Sequence, residues 1–311
     1  MTTDLASAGS LLRPNVEDGV TDLLARDTDL LNWFETRGFV KPNNGGSPYK
    51  WNLMTSETAT AEIYVEGQAL PAAGQPAYSQ ASVAAVYFRS VVANTGHMQD
   101  QVDRGGVYAD PIELAIDNAT KRLRTLVDQT LAGSAANKGI ASIIDADDSY
   151  GGLDPALVTP WASLETPVGG AMTITVMDTL FRTLSDSPRS ADTDTVLLNT
   201  NQAQKYANLF GYASTAARSL PRGEQGQPYD LGMAKMAMAH NGAEFVKVRT
   251  LANTELYALD SGSGIELREQ RMLTVEPMAK VNDDKSLQIT WALVPVFKNR
   301  RKHGKLTGLT A

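Results

Sequence analysis

The chain contains no cysteine. Disulfides, thiol catalysis and cysteine metal sites are thereby excluded. Histidine is almost as scarce: His97, His240 and His303 stand far apart, and none has a metal-ligand partner at helical or loop spacing. No apolar run approaches the ~20 residues that a helix needs to cross a bilayer. The opening stretch, MTTDLASAGSLLRPNVEDG, carries three acids and lacks the basic start and greasy core of a secretory signal. There is no basic excess either. A net charge of −7 argues against a general nucleic-acid binder. The expectation is a soluble protein made inside a cell.

Catalytic signatures are missing as well. Ser261–Gly264 reads SGSG but lacks the pattern of a nucleophile elbow, and no dinucleotide loop or phosphate-binding lysine motif occurs. No carboxylate pair stands out for acid–base work. Asp145, Asp147 and Asp148 hint at a calcium loop, but the twelfth position from Asp145 is Ala156, where a bidentate glutamate is required. A solvated acidic turn is the expectation. Asn118-Ala119-Thr120 matches a glycosylation sequon inside a helical pattern and is set aside. No catalytic, cofactor-binding or metal-binding residue is assigned.

What the sequence does contain is organisation. The chain has 311 residues, 42% hydrophobic and 20% charged, enough to bury a sizeable core in one or two domains. Its most ordered stretch is Asp110–Gly133. Asp110 is a good N-cap, Pro111 suits the first helical position and Glu113 suits a capping box. Ile112, Ala115, Ala119, Leu123, Leu126, Val127 and Leu131 recur in steps that mostly stack on one face. Acids lead and bases follow, Asp117 can pair with Lys121, and Gly133 stops the helix. At ~1.5 Å per residue this is a rod ~35 Å long, expected to lie across a sheet.

Residues 1–20 look like an arm. A helical pattern follows from Gly19 to Gly38, with Leu23, Leu24, Leu30, Leu31, Trp33 and Phe34 as an apolar edge that packs on its own domain or docks on a neighbouring subunit. Turn chemistry at 41–50 opens onto a strand in Trp51–Gly67, where Ala61, Ile63 and Val65 alternate with polar positions. After the tip Gln68–Gln80 a long strand returns over Val83–Ala93. An isolated two-stranded hairpin is marginal in water and its edges invite pairing, so this one lies over a neighbouring subunit or folds back on its own sheet. Ser142–Thr159 reads as loop and Ile174–Leu184 as a short amphipathic helix. Thr195–Asn199 is a buried strand, after which Thr200 or Asn201 caps a helix through Asn208. A long polar loop covers 211–230, followed by short strands at Phe245–Val248 and Glu255–Leu259. Met272–Val281 and Ser286–Val294 make a closing hairpin, beyond which Pro295 restricts continuation. Lys298, Arg300, Arg301, Lys302 and Lys305 form the densest basic cluster, either a solvated face or a contact with nucleic acid or an acidic neighbour.

In this order the parts resemble the major capsid proteins of tailed bacteriophages, whose fold is shared with encapsulin shells and the herpesvirus capsid floor. VVANTGHMQDQVDRGGVYADPIELAIDNATKRLRTLVDQTLAGS resembles the run into and along the family's spine helix, and LTVEPMAKVNDDKSLQITWALVPVFKNRRKHGKLTGL (273–309) is similar to the closing segment of some members. The resemblance implies an α+β fold with N-terminal arm, extended two-stranded loop, long spine helix, peripheral domain and axial domain. It divides the chain into an arm (1–47), an extended loop (48–92), a peripheral domain (93–175 and 266–297, with the spine helix at 110–133) and an axial domain (176–265 and 298–311). It further implies a non-enzymatic virion protein, assembled in the host cytoplasm. Its copies would form hexamers and pentamers of an icosahedral shell around double-stranded DNA held without sequence specificity. Separate scaffolding, portal and decoration proteins are the partners implied; no cofactor and no membrane are. Some members cross-link a loop lysine to a neighbour's asparagine. Here the tip Gly67–Ser79 has no lysine and Lys50 lies at the loop's base, so non-covalent stabilisation is expected. An encapsulin-like compartment, or an unrelated α+β enzyme or ligand binder, is the alternative.

Overall fold

Leu30, Leu31, Trp33 and Phe34 are all buried on α1 (Asp29–Thr36). The structure is a computed structural model that describes residues 27–56, 63, 65–66, 68–69, 74–95, 111–136, 138–209, 239–279 and 284–310. The predicted start of this helix at Gly19, the cap at Asp110, His97 and the loop at 211–230 therefore lie outside the described residues. The helix packs on α2 (Pro111–Ala132), where Glu35 pairs with Arg124 at 2.7 Å. Of its two possible partners it takes its own body.

The spine α2 matches its expected span closely. Ile112, Ala119, Leu123, Val127 and Leu131 are buried at three- and four-residue steps. Leu126 falls between them and is 46% exposed, so it departs from the apolar stripe assigned to it. Lys121 pairs with Asp117 at 2.5 Å. After Gly133 the chain folds back so tightly that a Cβ on Gly139 would stand 1.7 Å from the Gly133 carbonyl oxygen.

Two sheets and a separate hairpin carry the rest. The first sheet has the order β1-β10-β11-β4: β1 (Val40–Pro42), β10 (Ile265–Pro277), β11 (Asp284–Phe297) and β4 (Val86–Thr95). Trp291 opposes Phe88 across β11 and β4, both buried, and α2 packs against these strands. The second has the order β5-β12-β9-β6-β8-β7, from β5 (Leu164–Gly170), β6 (Thr195–Leu198), β7 (Ala239–His240), β8 (Ala243–Lys247), β9 (Leu256–Leu259) and β12 (Gly304–Leu309). Its central strand β6 is buried at every position. Val196 and Leu198 face a core with α4 (Ile174–Ser185) and α5 (Thr200–Leu209), while Leu197 faces the core it shares with the first sheet. A four-residue helix, α3 (Ile140–Ile143), fills part of that shared core. Finally, β2 (Tyr49–Ser56) and β3 (Ala77–Val83) pair only with each other.

Several expectations change. The long returning strand does not pair with β2. It splits at Ala84–Ala85; only the part up to Val83 closes the hairpin, and β4 goes to β11. Ile63 and Val65 are not in a strand. Residues 29–42, read as arm, contribute α1 and β1 to the body, β1 pairing in parallel with β10. Pro295 does not end β11: it lies opposite Leu267 of β10, beyond Leu293, the last residue paired with β4, so no ladder partner needs its missing N–H. The cap of α5 is Asn199, whose Oδ1 accepts from Asn201 N–H at 3.0 Å, rather than Thr200 or Asn201. The edge strand β1, with three residues, is too short to show a period.

Candidate assembly surface

The hairpin β2–β3 is anchored at one end. At its root Trp51, Ala81 and Val83 are buried. Trp51 meets Tyr150 and Trp161 at ring distances of 6.0 and 6.5 Å, and these two stack nearly parallel. Ser82 N–H donates to the Gly151 carbonyl at 2.8 Å. Gly151 has φ +65°, and a Cβ there would come within 3.0 Å of Ala81 Cβ, so the turn needs glycine on both counts. Tyr150 Oη donates to Pro295 O at 2.9 Å and accepts from Phe297 N–H at 3.0 Å; burial raises its pKa above the ordinary tyrosine value.

Away from the root the hairpin is bare. Met54 is 58% exposed and Tyr78 69%, and in the segment between the two strands Ile63 is 99% and Val65 73% exposed. Single exposed apolar residues are ordinary, but Met54 and Tyr78 lie on a two-stranded ribbon that pairs with no further strand among the described residues. A second exposed surface flanks α2 and β4. Tyr87, Arg89, Leu126, Arg271, Gln288 and Thr290 line most of a groove of about 600 Å³, and Arg89 and Leu126 also line an adjoining one of about 320 Å³ that includes Arg122. Arg89 and Arg122 have no carboxylate partner among the described residues.

The basic run at the C-terminus turns inward. Arg300 is fully buried and donates to the carbonyls of Asp148, at 2.6 Å, and Asp145. Burial lowers its pKa to about 10. Lys305, 5% exposed, sits between Asp145 and Glu165. Lys298 joins Lys41 and Arg268 around the buried Glu266 at 2.7–3.0 Å. Burial would raise the Glu266 pKa; the three cations outweigh it and hold the carboxyl below its ordinary value. Lys302 approaches Asp260 at 3.4 Å. Of the five, Arg300 and Arg301 have no carboxylate partner among the described residues, and Arg300 is held by the two carbonyls instead. The run is an internal set of ties, and neither of the two expected surface roles describes it.

The acidic turn is likewise occupied. Asp145 accepts from the N–H groups of Asp147 and Asp148 and pairs with Lys305, so its carboxylate is engaged inside the turn, while Asp147 and Asp148 are exposed. His303 is buried between Asp260 N–H, which donates to its Nδ1 at 3.3 Å, and Ser263 Oγ, 3.0 Å from its Nε2. Because Ser263 Oγ donates to Asp260 O, the histidine carries its proton on Nε2. Burial, with Lys302 nearby, lowers its pKa to about 3. His240 Nδ1 lies 2.8 Å from Tyr206 Oη, and Asp178 Oδ1 is 2.9 Å from its Nε2 but off the hydrogen-bonding direction. Ser261 and Ser263 belong to these ties and lie beside no nucleophile-activating base other than the neutral, buried His303. No group of three or more metal-ligating side chains occurs among the described residues. Asn118 of the sequon is on α2.

Most of the charged groups of the C-terminal run and the acidic turn are thus tied within the chain, while exposed apolar side chains stand on the hairpin, on β4 and β10 and at Leu157. Comparison with known proteins decides what that means: the family model for the SU10 major capsid protein matches residues 1–310. The chain belongs to that family. A search of curated proteins finds no sequence match. Among solved structures, the fold is similar to the cyanophage A-1(L) capsid asymmetric unit, at TM-score 0.69 and 14% identity over 97% of this chain and 98% of the other. The capsid of the native GTA particle gives TM-score 0.69 and 11% identity over 100% and 99%. The capsid of Myoviridae phage XM1 gives 0.61 and 12% over 97% and 98%. This capsid protein is thus a structural component of the virion shell with the phage major-capsid fold.

Proposed function

We propose that copies of this capsid protein assemble in the host cytoplasm into hexamers and pentamers that close an icosahedral shell around double-stranded DNA, each hairpin lying across the next copy. The observation that carries the reading is the hairpin itself: a root built into the core, with Met54 and Tyr78 exposed beyond it and Ile63 and Val65 exposed in the segment between its strands. Burying such surface is worth about 25 cal/mol per Å², and repetition around a ring multiplies small contacts. Charge supports the same arrangement. Between Lys50 and Arg89 the sequence holds three glutamates and no basic residue, while the groove beside α2 offers Arg89 and Arg122. With four of the five basic residues of the C-terminal run tied within the chain, DNA is enclosed without being gripped by that run.

Electron microscopy of the full chain, expressed with and without other virion proteins, tests the proposal. Closed shells are expected; a monomer at all concentrations and in both conditions overturns it. Particles that hold protein rather than nucleic acid overturn the DNA part alone. The assembled shell is expected to run as a single monomer band on denaturing electrophoresis, because the loop tip has no lysine to cross-link; a ladder of linked subunits contradicts this.

A further inference from the structure

Arg300 is an odd residue to bury. Its guanidinium faces two backbone carbonyls instead of a carboxylate, and its Nε has no hydrogen-bond partner among the described residues. Buried charges of this kind contribute little to stability compared with an apolar side chain of similar volume, so they call for another reason to be there. The carbonyls it holds, those of Asp145 and Asp148, belong to the turn that carries Tyr150 and Gly151. The Tyr150 ring packs against Trp51, the Tyr150 carbonyl accepts from Trp161 Nε1 at 3.0 Å, and the Gly151 carbonyl accepts from Ser82 N–H. Both Trp51 and Ser82 are in the hairpin root. Arg300 itself stands in the link between β11 of one sheet and β12 of the other. Hairpin, first sheet and second sheet thus meet on one turn.

The geometry points to Arg300 as a positioning residue for assembly: by clamping the 145–151 turn at the junction of the two sheets, it sets the direction in which the hairpin leaves the body. This rests on the shell reading above and deepens it, since a subunit that must dock its hairpin on a neighbour needs that direction defined before contact. Any change in the angle between the sheets is passed through the same turn to the hairpin.

The absence of cysteine makes a direct measurement clean. Spin labels are placed at Met54→Cys on the hairpin and Thr179→Cys on α4, both exposed, and the distance distribution is recorded on dilute, unassembled full chain. A narrow distribution is expected for this pair in the otherwise natural sequence. Arg300→Met, which fills the space without the fork, and Ser82→Pro, which removes the amide that donates to Gly151 and also fixes φ within β3, are each expected to broaden it about twofold. Their melting temperatures should stay close to the parent's and shell diameters should become heterogeneous. Arg300→Lys, which keeps charge but not the two-carbonyl clamp, is expected to broaden it too. Unchanged widths in folded Arg300→Met and Arg300→Lys overturn the inference; if Arg300→Met fails to fold, Arg300→Lys decides alone. Absence of shells from the parent, with the distance effect present, instead sinks the shell reading and leaves the clamp standing.

Discussion

Asp128 lies on the spine with no solvent exposure, yet both its oxygens are used. It accepts from Leu31 N–H at 2.8 Å and from Thr250 Oγ1 at 2.7 Å. Thr28, at the N-cap position of α1, makes no side-chain cap, so the spine supplies the cap from 97 residues away. Asp128→Ala is expected to lower unfolding free energy by about 1–3 kcal/mol in urea denaturation, because it strands a buried N–H and a hydroxyl. Burial raises the Asp128 pKa, against the pull of Thr250 and the α1 amides. The folded state therefore holds this proton more tightly than the unfolded one, and the natural protein loses stability as pH rises from 3.8 through the raised value. Asp128→Asn does not titrate, so its stability relative to the parent should increase across that window and then level off. His303 works in the opposite direction. Its pKa is about 3 folded against 6.5 unfolded, so stability is full above 6.5 and falls as acid protonates the unfolded chain first, by on the order of 5 kcal/mol at the limit. Acid unfolding followed by circular dichroism is expected to begin below pH 6.5 and to be blunted in His303→Gln.

At the scale of elements, the hairpin is two structures in one: a root that belongs to the core and a bare outer part that does not. Tyr150→Phe tests the root. It removes the hydroxyl that bridges Pro295 O and Phe297 N–H, leaving both without that partner inside the core, and is expected to cost about 1–3 kcal/mol by thermal or urea denaturation. The spine was legible because its apolar stripe runs for six turns and depends only on its own sequence. The short helix at 174–185 was legible for the same reason, with Thr173 capping Val176 N–H. The hairpin's pairing was not. Val83–Ala93 reads as one strand because nothing in its pattern marks Ala84–Ala85 as the place where the chain changes partners, and a partner is a non-local choice.

For the whole molecule, the expected α+β capsid architecture is present, but the line between its two main parts is softer than a division by residue number. Leu197, Tyr257 and Leu259 from the second sheet, with Val248 just after β8, share a core with Leu267, Trp291 and Phe297 from the first. A single cooperative unfolding transition of the unassembled chain is expected by calorimetry, with calorimetric and van't Hoff enthalpies in agreement; two separated transitions would show that the sheets fold apart.

By itself the sequence determined the periodic elements and the order of parts that carries the family resemblance, because each of these is written locally in spacing or composition. Only the tertiary structure decided which strands pair, that residues 29–42 join the body, and that a run of basic residues at 298–305 is spent on buried carbonyls and carboxylates up to 160 positions away. The reason is the same throughout: a charge or a strand edge is satisfied by whatever the fold brings beside it, and that neighbour is not written next to it in the chain.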